Sequence, residues 1–317
     1  MIDFHCHITT PSSRMPDTDG EYYNTLKAVA LSGPWMDLVW AETIETVAEN
    51  FRDEPALRGY KQMSPLIYSE MVRRMMQTGA KRLALEMAKN HVRQACVVAI
   101  DPYIPTSEVV EACVRTKDIL LPFGSVDPWA DDWEAKLENV LTMPIAGFKF
   151  HCNLQQLSYG HPRTIEILRV LRRAGFKRPI YLHSGDYPIY KPQGGSDWAA
   201  DLANMVRAFP ELRFVCGHCG WNRPAAAFRI ARRHANLWLE TSWQPPRILR
   251  RLCDLLGPRR MVLGSDYPLF SMRRAVRNCK VVMTPREFEI VSEEVPRELL
   301  AVASPARADG SRGGDAG

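Results

Sequence analysis

Short apolar runs alternate with amphipathic stretches from residue 94 onward, and this alternation constrains the fold more than any other feature of the sequence. Residues 2–8 add one further apolar run at the start, which makes eight strand-like runs, each followed by helical sequence. Strands that alternate with helices form parallel sheets, and eight such units close into a (β/α)8 barrel, the TIM-barrel fold. The later predicted strands cover residues 94–100, 120–126, 146–151, 179–183, 213–218, 236–241 and 260–266.

Two parts of the chain stand outside this alternation. Residues 9–63 are rich in loop-forming residues with one predicted helix over 42–51, so we expect an elaborated loop insertion after the first strand. A long amphipathic helix is predicted over 65–90, and Gly79 is a candidate break in it. We therefore expect one barrel domain over residues 1–303, followed by a disordered tail over 304–317.

Composition excludes several classes of function. The 317 residues carry a net charge of only +5, and no long basic run is interleaved with aromatic residues, so we expect no nucleic-acid partner. No apolar signal segment and no apolar run of 18 residues is found, which predicts a cytoplasmic protein with no membrane contact. The expected partner is a small-molecule substrate, and a homodimer is left open. The eight cysteines, including the isolated pair Cys216 and Cys219, are interpreted as reduced apolar residues.

The first strand carries two histidines on one predicted face. In Ile2-Asp3-Phe4-His5-Cys6-His7-Ile8, strict alternation places Asp3, His5 and His7 opposite the apolar residues. Two imidazoles at positions i and i+2 are close enough to share a cation, and buried polar groups need such a partner. The alternative is that one histidine is a hydrogen-bonded core residue and the other is exposed.

Further polar residues close other predicted strands. His151, His183, His218 and Asp266 each stand at a strand end, and Lys149 shares a strand face with His151. The active site of a TIM barrel lies at the carboxyl ends of its strands, so these side chains are expected to meet at one centre.

In their order, these motifs resemble the amidohydrolase superfamily, and in particular amidohydrolase family 2. The resemblance rests on five segments and covers roughly residues 1–8 and 64–300, whereas residues 9–63 match nothing in it. That family includes metal-dependent hydrolases and decarboxylases similar to aminocarboxymuconate-semialdehyde decarboxylase. The segments are His5-Cys6-His7, Gly147-Phe148-Lys149-Phe150-His151, His183, His218-Cys219-Gly220 and Gly264-Ser265-Asp266-Tyr267-Pro268, with Asn236 to Ser242 as a further match.

The resemblance implies that His5, His7, His183 and Asp266 bind one divalent metal. Imidazole and carboxylate ligands favour Zn²⁺, with Mn²⁺ or Fe²⁺ as alternatives. A bound cation lowers the pKa of its water from ~15.7 towards ~7. Asp266 would accept a proton from that water, and His218 would act as general acid or base. The alternatives for His218 are a ligand of a second metal and a neutral core histidine.

Four residues are candidates for substrate binding. Lys149 is expected to recognise an anionic or carbonyl group beside His151, although a carboxylated lysine that bridges two metals is the alternative. Trp221 and Arg223 follow His218 and could line the pocket, or could belong to a simple surface loop. Tyr267 and Pro268 are interpreted as structural residues that shape the turn after Asp266.

Three functions remain open from the sequence. The first prediction is a metal-dependent hydrolase that cleaves a C–N or C–O bond of a small anionic molecule, because decarboxylases of this kind generally lack a lysine at the position of Lys149. The alternative is a nonoxidative decarboxylase, which His218-Cys219-Gly220 followed by Pro224 slightly favours. A non-enzymatic binding protein is the third, but it would be expected to have lost metal ligands, and all four are present.

Overall fold

The structure is a computed structural model that describes residues 1–14, 73–186 and 197–301. Eight parallel strands form one sheet in sequence order. The main-chain N–H of Phe4 donates to Leu263 O at 2.8 Å, and Asp266 N–H donates to His5 O at 2.8 Å, so the last strand also meets the first. The predicted TIM barrel is therefore confirmed. Its strands are β1 (Ile2–Cys6), β2 (Gln94–Val98), β3 (Leu120–Gly124), β4 (Gly147–Phe150), β5 (Pro179–Leu182), β6 (Arg213–Cys216), β7 (Leu237–Glu240) and β8 (Met261–Val262).

Helices follow the strands as the alternation predicts. Proline occupies the first position of four of them, where its missing N–H is not needed. A π-helical segment, Ile290–Glu294, joins the last two helices. The helices are α1 (Ala80–Lys89), α2 (Thr106–Val114), α3 (Trp133–Thr142), α4 (Pro162–Arg173), α5 (Trp198–Ala208), α6 (Pro224–Arg233), α7 (Pro246–Leu256), α8 (Met272–Lys280), α9 (Pro285–Glu289) and α10 (Val295–Leu300).

Some predictions fall wholly or partly outside the described residues. These are the insertion over 9–63 beyond residue 14, the helix over 42–51 and the tail over 304–317. The described part of the predicted helix over 65–90 is interrupted at Gly79, and α1 begins at the next residue. None of the described helices is long and apolar enough to cross a membrane. All eight cysteines are buried and none forms a disulfide.

Strand β1 departs from the predicted strict alternation. Phe4 was expected on the face opposite His5, yet Phe4 packs edge-on against Phe123 inside the barrel, with a centroid distance of 5.6 Å. His5 also points inward, because its Nδ1 lies 2.7 Å from the Tyr181 hydroxyl. The pairing of β1 with β2 shifts register between Asp3 and Cys6, and this irregularity turns two successive side chains inward.

The predicted end of β6 was wrong by two residues and that of β8 by four. Strand β6 ends at Cys216 and β8 at Val262, so His218 and Asp266 both follow their strands. Both residues have left-handed backbone conformations, with φ of 55° at His218 and 61° at Asp266. Such conformations cost energy for a non-glycine residue and cluster at functional sites. The two turns therefore aim these side chains over the mouth of the barrel.

Candidate metal centre

Three of the four predicted metal ligands come together at the carboxyl end of the barrel. One ligand atom from each of His5, His7 and Asp266 lies within 4.8 Å of the others, and all three residues are buried. Asp266 Oδ1 lies 3.0 Å from His7 Nε2 and 3.4 Å from His5 Nε2. We call this group the open trio, for the reason given next.

Each histidine of the open trio has one buried nitrogen, His5 Nε2 or His7 Nδ1, that makes no hydrogen bond within the described part of the chain. Burial, and after it the charge of Lys149, holds the pKa of His5 well below its usual range, and burial also lowers the pKa of His7. Burial alone would raise the pKa of Asp266, but hydrogen bonding to His7 and the neighbouring imidazoles outweigh it and keep that pKa low. Neutral imidazoles beside an ionised carboxylate, with unused nitrogens, fit a divalent cation.

The fourth predicted ligand, His183, lies outside the open trio. Its ring stacks on His151 with a centroid distance of 3.9 Å and an interplanar angle of 12°. Its Nδ1 lies 3.1 Å from His218 Nε2. The structure thus places His183 between two other histidines of the centre, and its role as a metal ligand stays a prediction.

A second compact group is formed by His5, His218 and Glu240, which we call the bonded trio. Glu240 ends β7 with 0% exposure and accepts from the main-chain N–H of His218 at 2.9 Å and from the hydroxyls of Tyr181 and Ser242. Burial raises the pKa of Glu240 to about 7, although these hydrogen bonds oppose the rise. Because its carboxylate is already surrounded by donors, this group resembles a metal site only in composition.

Asp266 makes one contact that the sequence gave no reason to expect. Its Oδ2 accepts a hydrogen bond of 2.7 Å from the indole N–H of Trp243, a residue in the turn after β7. Its Oδ1 faces the two histidines of the open trio. Both carboxylate oxygens are therefore engaged, and the side chain is held in one orientation.

Lys149 and His151 project from the end of β4 as predicted. Lys149 is fully buried, and among the described residues its Nζ finds no hydrogen-bond partner, only the face of Tyr181 at 4.2 Å from the ring centroid. Burial lowers the pKa of Lys149 to about 7. Leu154 N–H donates to His151 Nδ1 at 3.2 Å, so the proton of the neutral His151 ring sits on Nε2. This end of β4 thus offers two donors.

The two rim candidates lie in different environments. Trp221 is buried, and its main-chain oxygen accepts from the Gln244 amide at 2.9 Å. Arg223 makes a two-pronged ion pair with Asp197, with both N–O distances 3.0 Å, and Asp186 lies 3.7 Å away. The guanidinium of Arg223 is therefore already paired with carboxylates at the rim of the barrel. Substrate binding by either residue stays a prediction.

Sequence reasoning missed four polar residues of the centre, namely Tyr181, Glu240, Ser242 and Trp243. Glu240 had a usable signal, since a carboxylate that ends the apolar run Leu237-Trp238-Leu239 has no solvent to face in a barrel. The other three had none, because aromatic residues and serine are ordinary at strand ends.

The amidohydrolase family model, family 2, matches residues 2–295 of the sequence. The chain therefore belongs to this family, and the resemblance inferred from the ordered motifs is confirmed. No curated protein matches the sequence.

Several solved structures are similar over nearly the whole chain. The 5-carboxyvanillate decarboxylase LigW from Sphingomonas paucimobilis is 17% identical, with a TM-score of 0.59 over 96% of this chain and 99% of that one. A dihydroxybenzoic acid decarboxylase from Polaromonas, with bound manganese and 2-nitroresorcinol, is 15% identical, with a TM-score of 0.61 over 95% and 96%. A probable 2-pyrone-4,6-dicarboxylic acid hydrolase from Acinetobacter baumannii is 12% identical, with a TM-score of 0.58 over 95% and 98%. At these identities the likeness establishes the fold alone.

Proposed function

We propose that this protein is a metal-dependent, nonoxidative decarboxylase of a small carboxylic acid. The observation that carries the proposal is the double engagement of Asp266, whose oxygens face the open trio on one side and the Trp243 N–H on the other. Hydrolysis would require this carboxylate to take a proton from water, and an oxygen that already accepts a hydrogen bond is a weaker base. Decarboxylation makes no such demand on Asp266.

The substrate carboxylate would be recognised by Lys149 and His151. Lys149 is a buried amine without a hydrogen-bond partner among the described residues, and an anion beside it would favour its charged form. The protonated nitrogen of His151 adds a second donor on the same strand. Lys149 favoured hydrolysis on sequence grounds, but binding a carboxylate is a role that either reaction can use.

The open trio, with His183 as the expected fourth ligand, would hold one divalent cation. Such a cation would supply positive charge that orients the substrate and stabilises developing negative charge. Zinc remains the sequence-based expectation, and the manganese in the Polaromonas enzyme makes Mn²⁺ an equal candidate. Both metals accept imidazole and carboxylate ligands.

The proposed reaction converts a carboxylate and one proton into CO2 and a carbon–hydrogen bond. The bond to the carboxylate carbon breaks, its electron pair stays on the remaining carbon, and that carbon takes the proton. His218 is the proposed carrier of this proton, because its Nδ1 is held by Ser242 at 2.7 Å while Nε2 faces the centre near His183. Burial lowers the pKa of His218 to about 4, so a protonated ring here would be a strong donor.

A panel of small carboxylic acids tests the proposal. The Mn²⁺- and Zn²⁺-loaded proteins would be incubated with 5-carboxyvanillate, 2,6-dihydroxybenzoate and 2-pyrone-4,6-dicarboxylate in D2O. The expected result is CO2 release from a benzoate and a product with one deuterium at the carbon that lost the carboxylate. His218→Ala with the same metal serves as the control for uncatalysed loss of CO2.

Hydrolysis is the second candidate, favoured by the similarity of this barrel to the probable 2-pyrone-4,6-dicarboxylic acid hydrolase from Acinetobacter baumannii. The same panel in ¹⁸O-labelled water separates the two reactions. Incorporation of one solvent oxygen into the product without CO2 release would establish a hydrolase and refute decarboxylation.

A further inference from the structure

Glu240 occupies a symmetrical position between two histidines of the centre. Its Oε2 lies 3.8 Å from His5 Nδ1 and 3.8 Å from His218 Nδ1, too far for a direct hydrogen bond to either ring. The two imidazoles have different proposed roles, since His5 is a candidate metal ligand and His218 is the candidate proton carrier. A single buried carboxylate therefore faces both.

One hydroxyl fills each of these two gaps. On the His5 side, the Tyr181 hydroxyl lies 2.7 Å from His5 Nδ1 and 2.6 Å from Glu240 Oε2. On the His218 side, the Ser242 hydroxyl lies 2.7 Å from His218 Nδ1 and 2.8 Å from Glu240 Oε2. The result is a fork with Glu240 at its base and one imidazole at the end of each arm.

The direction of the hydrogen bonds in this fork follows from the carboxylate. Main-chain N–H groups of His218 and Ser242 already donate to the two oxygens of Glu240, so both oxygens act as acceptors, and Tyr181 and Ser242 donate their single protons to Oε2. Each hydroxyl then has only lone pairs to offer its imidazole, and each imidazole must donate from Nδ1. In a neutral ring, a protonated Nδ1 leaves the lone pair on Nε2. For His5, this nitrogen is the one that finds no hydrogen-bond partner in the described structure.

Two glycines make room for the fork. A side chain at Gly264 would place its Cβ 2.4 Å from Glu240 Oε1, and one at Gly217 would place its Cβ 2.6 Å from the Tyr181 hydroxyl. Contacts this short force the neighbouring side chain to move, so a larger residue at either glycine would displace Glu240 or Tyr181 from the fork. The fork is thus built into the turns after β6 and β8.

We propose that Glu240 is a positioning residue that fixes His5 and His218 in the Nδ1–H tautomer through Tyr181 and Ser242. One arm presents the His5 Nε2 lone pair to the metal, and the other presents the His218 Nε2 lone pair to the reaction. The proposal depends on the metal centre, but not on whether the reaction is decarboxylation or hydrolysis. Indirect partners of this kind typically contribute about 10–100-fold to metal affinity or activity.

The tautomers can be measured without substrate. The full-length protein labelled with ¹⁵N at histidine would be studied by NMR in its metal-free form at pH 8, with His5→Gln and His218→Gln to assign the signals. The expected spectrum shows protonated Nδ1 and unprotonated Nε2 for both rings. A protonated Nε2 on either ring of the wild-type protein would overturn the proposal.

Each arm of the fork can be removed by a single substitution, Tyr181→Phe or Ser242→Ala, and each of these variants is the control for the other. Tyr181→Phe is expected to weaken Mn²⁺ binding, measured by competition with a chelator, by about 10–100-fold and to leave the His218 tautomer unchanged. Ser242→Ala is expected to keep Mn²⁺ affinity near the wild-type value while His218 loses its fixed Nδ1–H signal. Wild-type Mn²⁺ affinity in Tyr181→Phe, or an unchanged His218 spectrum in Ser242→Ala, would refute the corresponding arm.

The base of the fork is tested by Glu240→Gln. Whichever way the amide is turned, its NH2 group opposes a main-chain N–H, that of His218 or that of Ser242, because these two groups approach opposite oxygens of Glu240. Both tautomers should therefore be disturbed at once. Thermal unfolding identifies a misfolded variant, in which case the two single-arm variants decide. A folded Glu240→Gln protein with both wild-type tautomers would contradict the proposal.

Discussion

The open trio and the bonded trio contain the same kinds of residue and share His5, yet they differ in their unused hydrogen-bonding capacity. In the open trio, one nitrogen of His5 and one of His7 find no hydrogen-bond partner among residues 1–14, 73–186 and 197–301. In the bonded trio, Glu240 accepts donors on both oxygens, and hydroxyls separate it from the two imidazoles. Proximity of ligand-type residues therefore does not distinguish a metal site from a hydrogen-bonded support.

The physical reason lies in the cost of burial. A buried lone pair without a donor is unfavourable unless a cation uses it, whereas a buried carboxylate with several donors is already stabilised. We therefore expect ligand removal to have its largest effect in the open trio. Substitutions in the bonded trio should instead change the orientation of the imidazoles and the transfer of protons.

The largest expected effect is that of His7→Ala. Loss of a ligand should reduce metal affinity by more than the roughly 10–100-fold attributed to indirect partners, and activity should fall in parallel. Elemental analysis of the wild-type protein should give about one divalent metal per chain, against almost none in the variant. His234→Ala, a histidine at the end of α6, is the matched control. Full metal content in His7→Ala would remove the distinction between the two trios.

His218→Ala should lower turnover by about 10²–10⁴-fold while metal content is retained. The reason is that His218 belongs to the bonded trio and is expected to carry a proton, not the metal. Turnover and metal content measured on the same preparation decide this. If both fall together, His218 is a ligand and the bonded trio has been misinterpreted.

Much of this arrangement could be predicted from the sequence because barrel topology fixes where strands end. Asp266 lies far from His5 and His7 in the chain, but parallel strands carry the residues at their carboxyl ends to one rim. The order of eight strand patterns was thus sufficient to bring them together. The limits of the prediction were local, since the register shift in β1 and the left-handed turns at His218 and Asp266 leave no pattern in residue type.

The supporting residues could not be predicted for a different reason. Tyr181 and Ser242 act through hydroxyl groups that lie 2.6 to 2.8 Å from their partners, and these distances result from packing between different segments of the barrel. Trp243 reaches Asp266 only because the turn after β7 places it there. Such contacts depend on side-chain packing across the barrel, which periodicity does not encode.

The same contrast between side chains with and without partners applies to the cations Lys149 and Arg223. Lys149→Met should raise KM by about 10–100-fold, as expected for one lost hydrogen bond to a charged group. Its amine is buried without a hydrogen-bond partner among the described residues, so the substrate is the expected partner. Metal content should not change. Two metals per chain, with a carbamate on Lys149 and stimulation by bicarbonate, would instead establish the bridging role.

The smallest expected effect is that of Arg223→Ala, because this cation already has its partners. Its guanidinium is held by both oxygens of Asp197 and lies 5.6 Å from the ring centroid of Trp198. A partly exposed ion pair contributes only about 0–1 kcal/mol, so the free energy of unfolding should fall by no more than that. KM should stay near the wild-type value, since the side chain has little capacity left for a substrate. Asp197→Asn should destabilise by a similar amount, because it weakens the same pair. A rise in KM as large as that of Lys149→Met would show that Arg223 leaves Asp197 to bind the substrate. An existing ion pair at the rim would then not exclude a role in substrate binding.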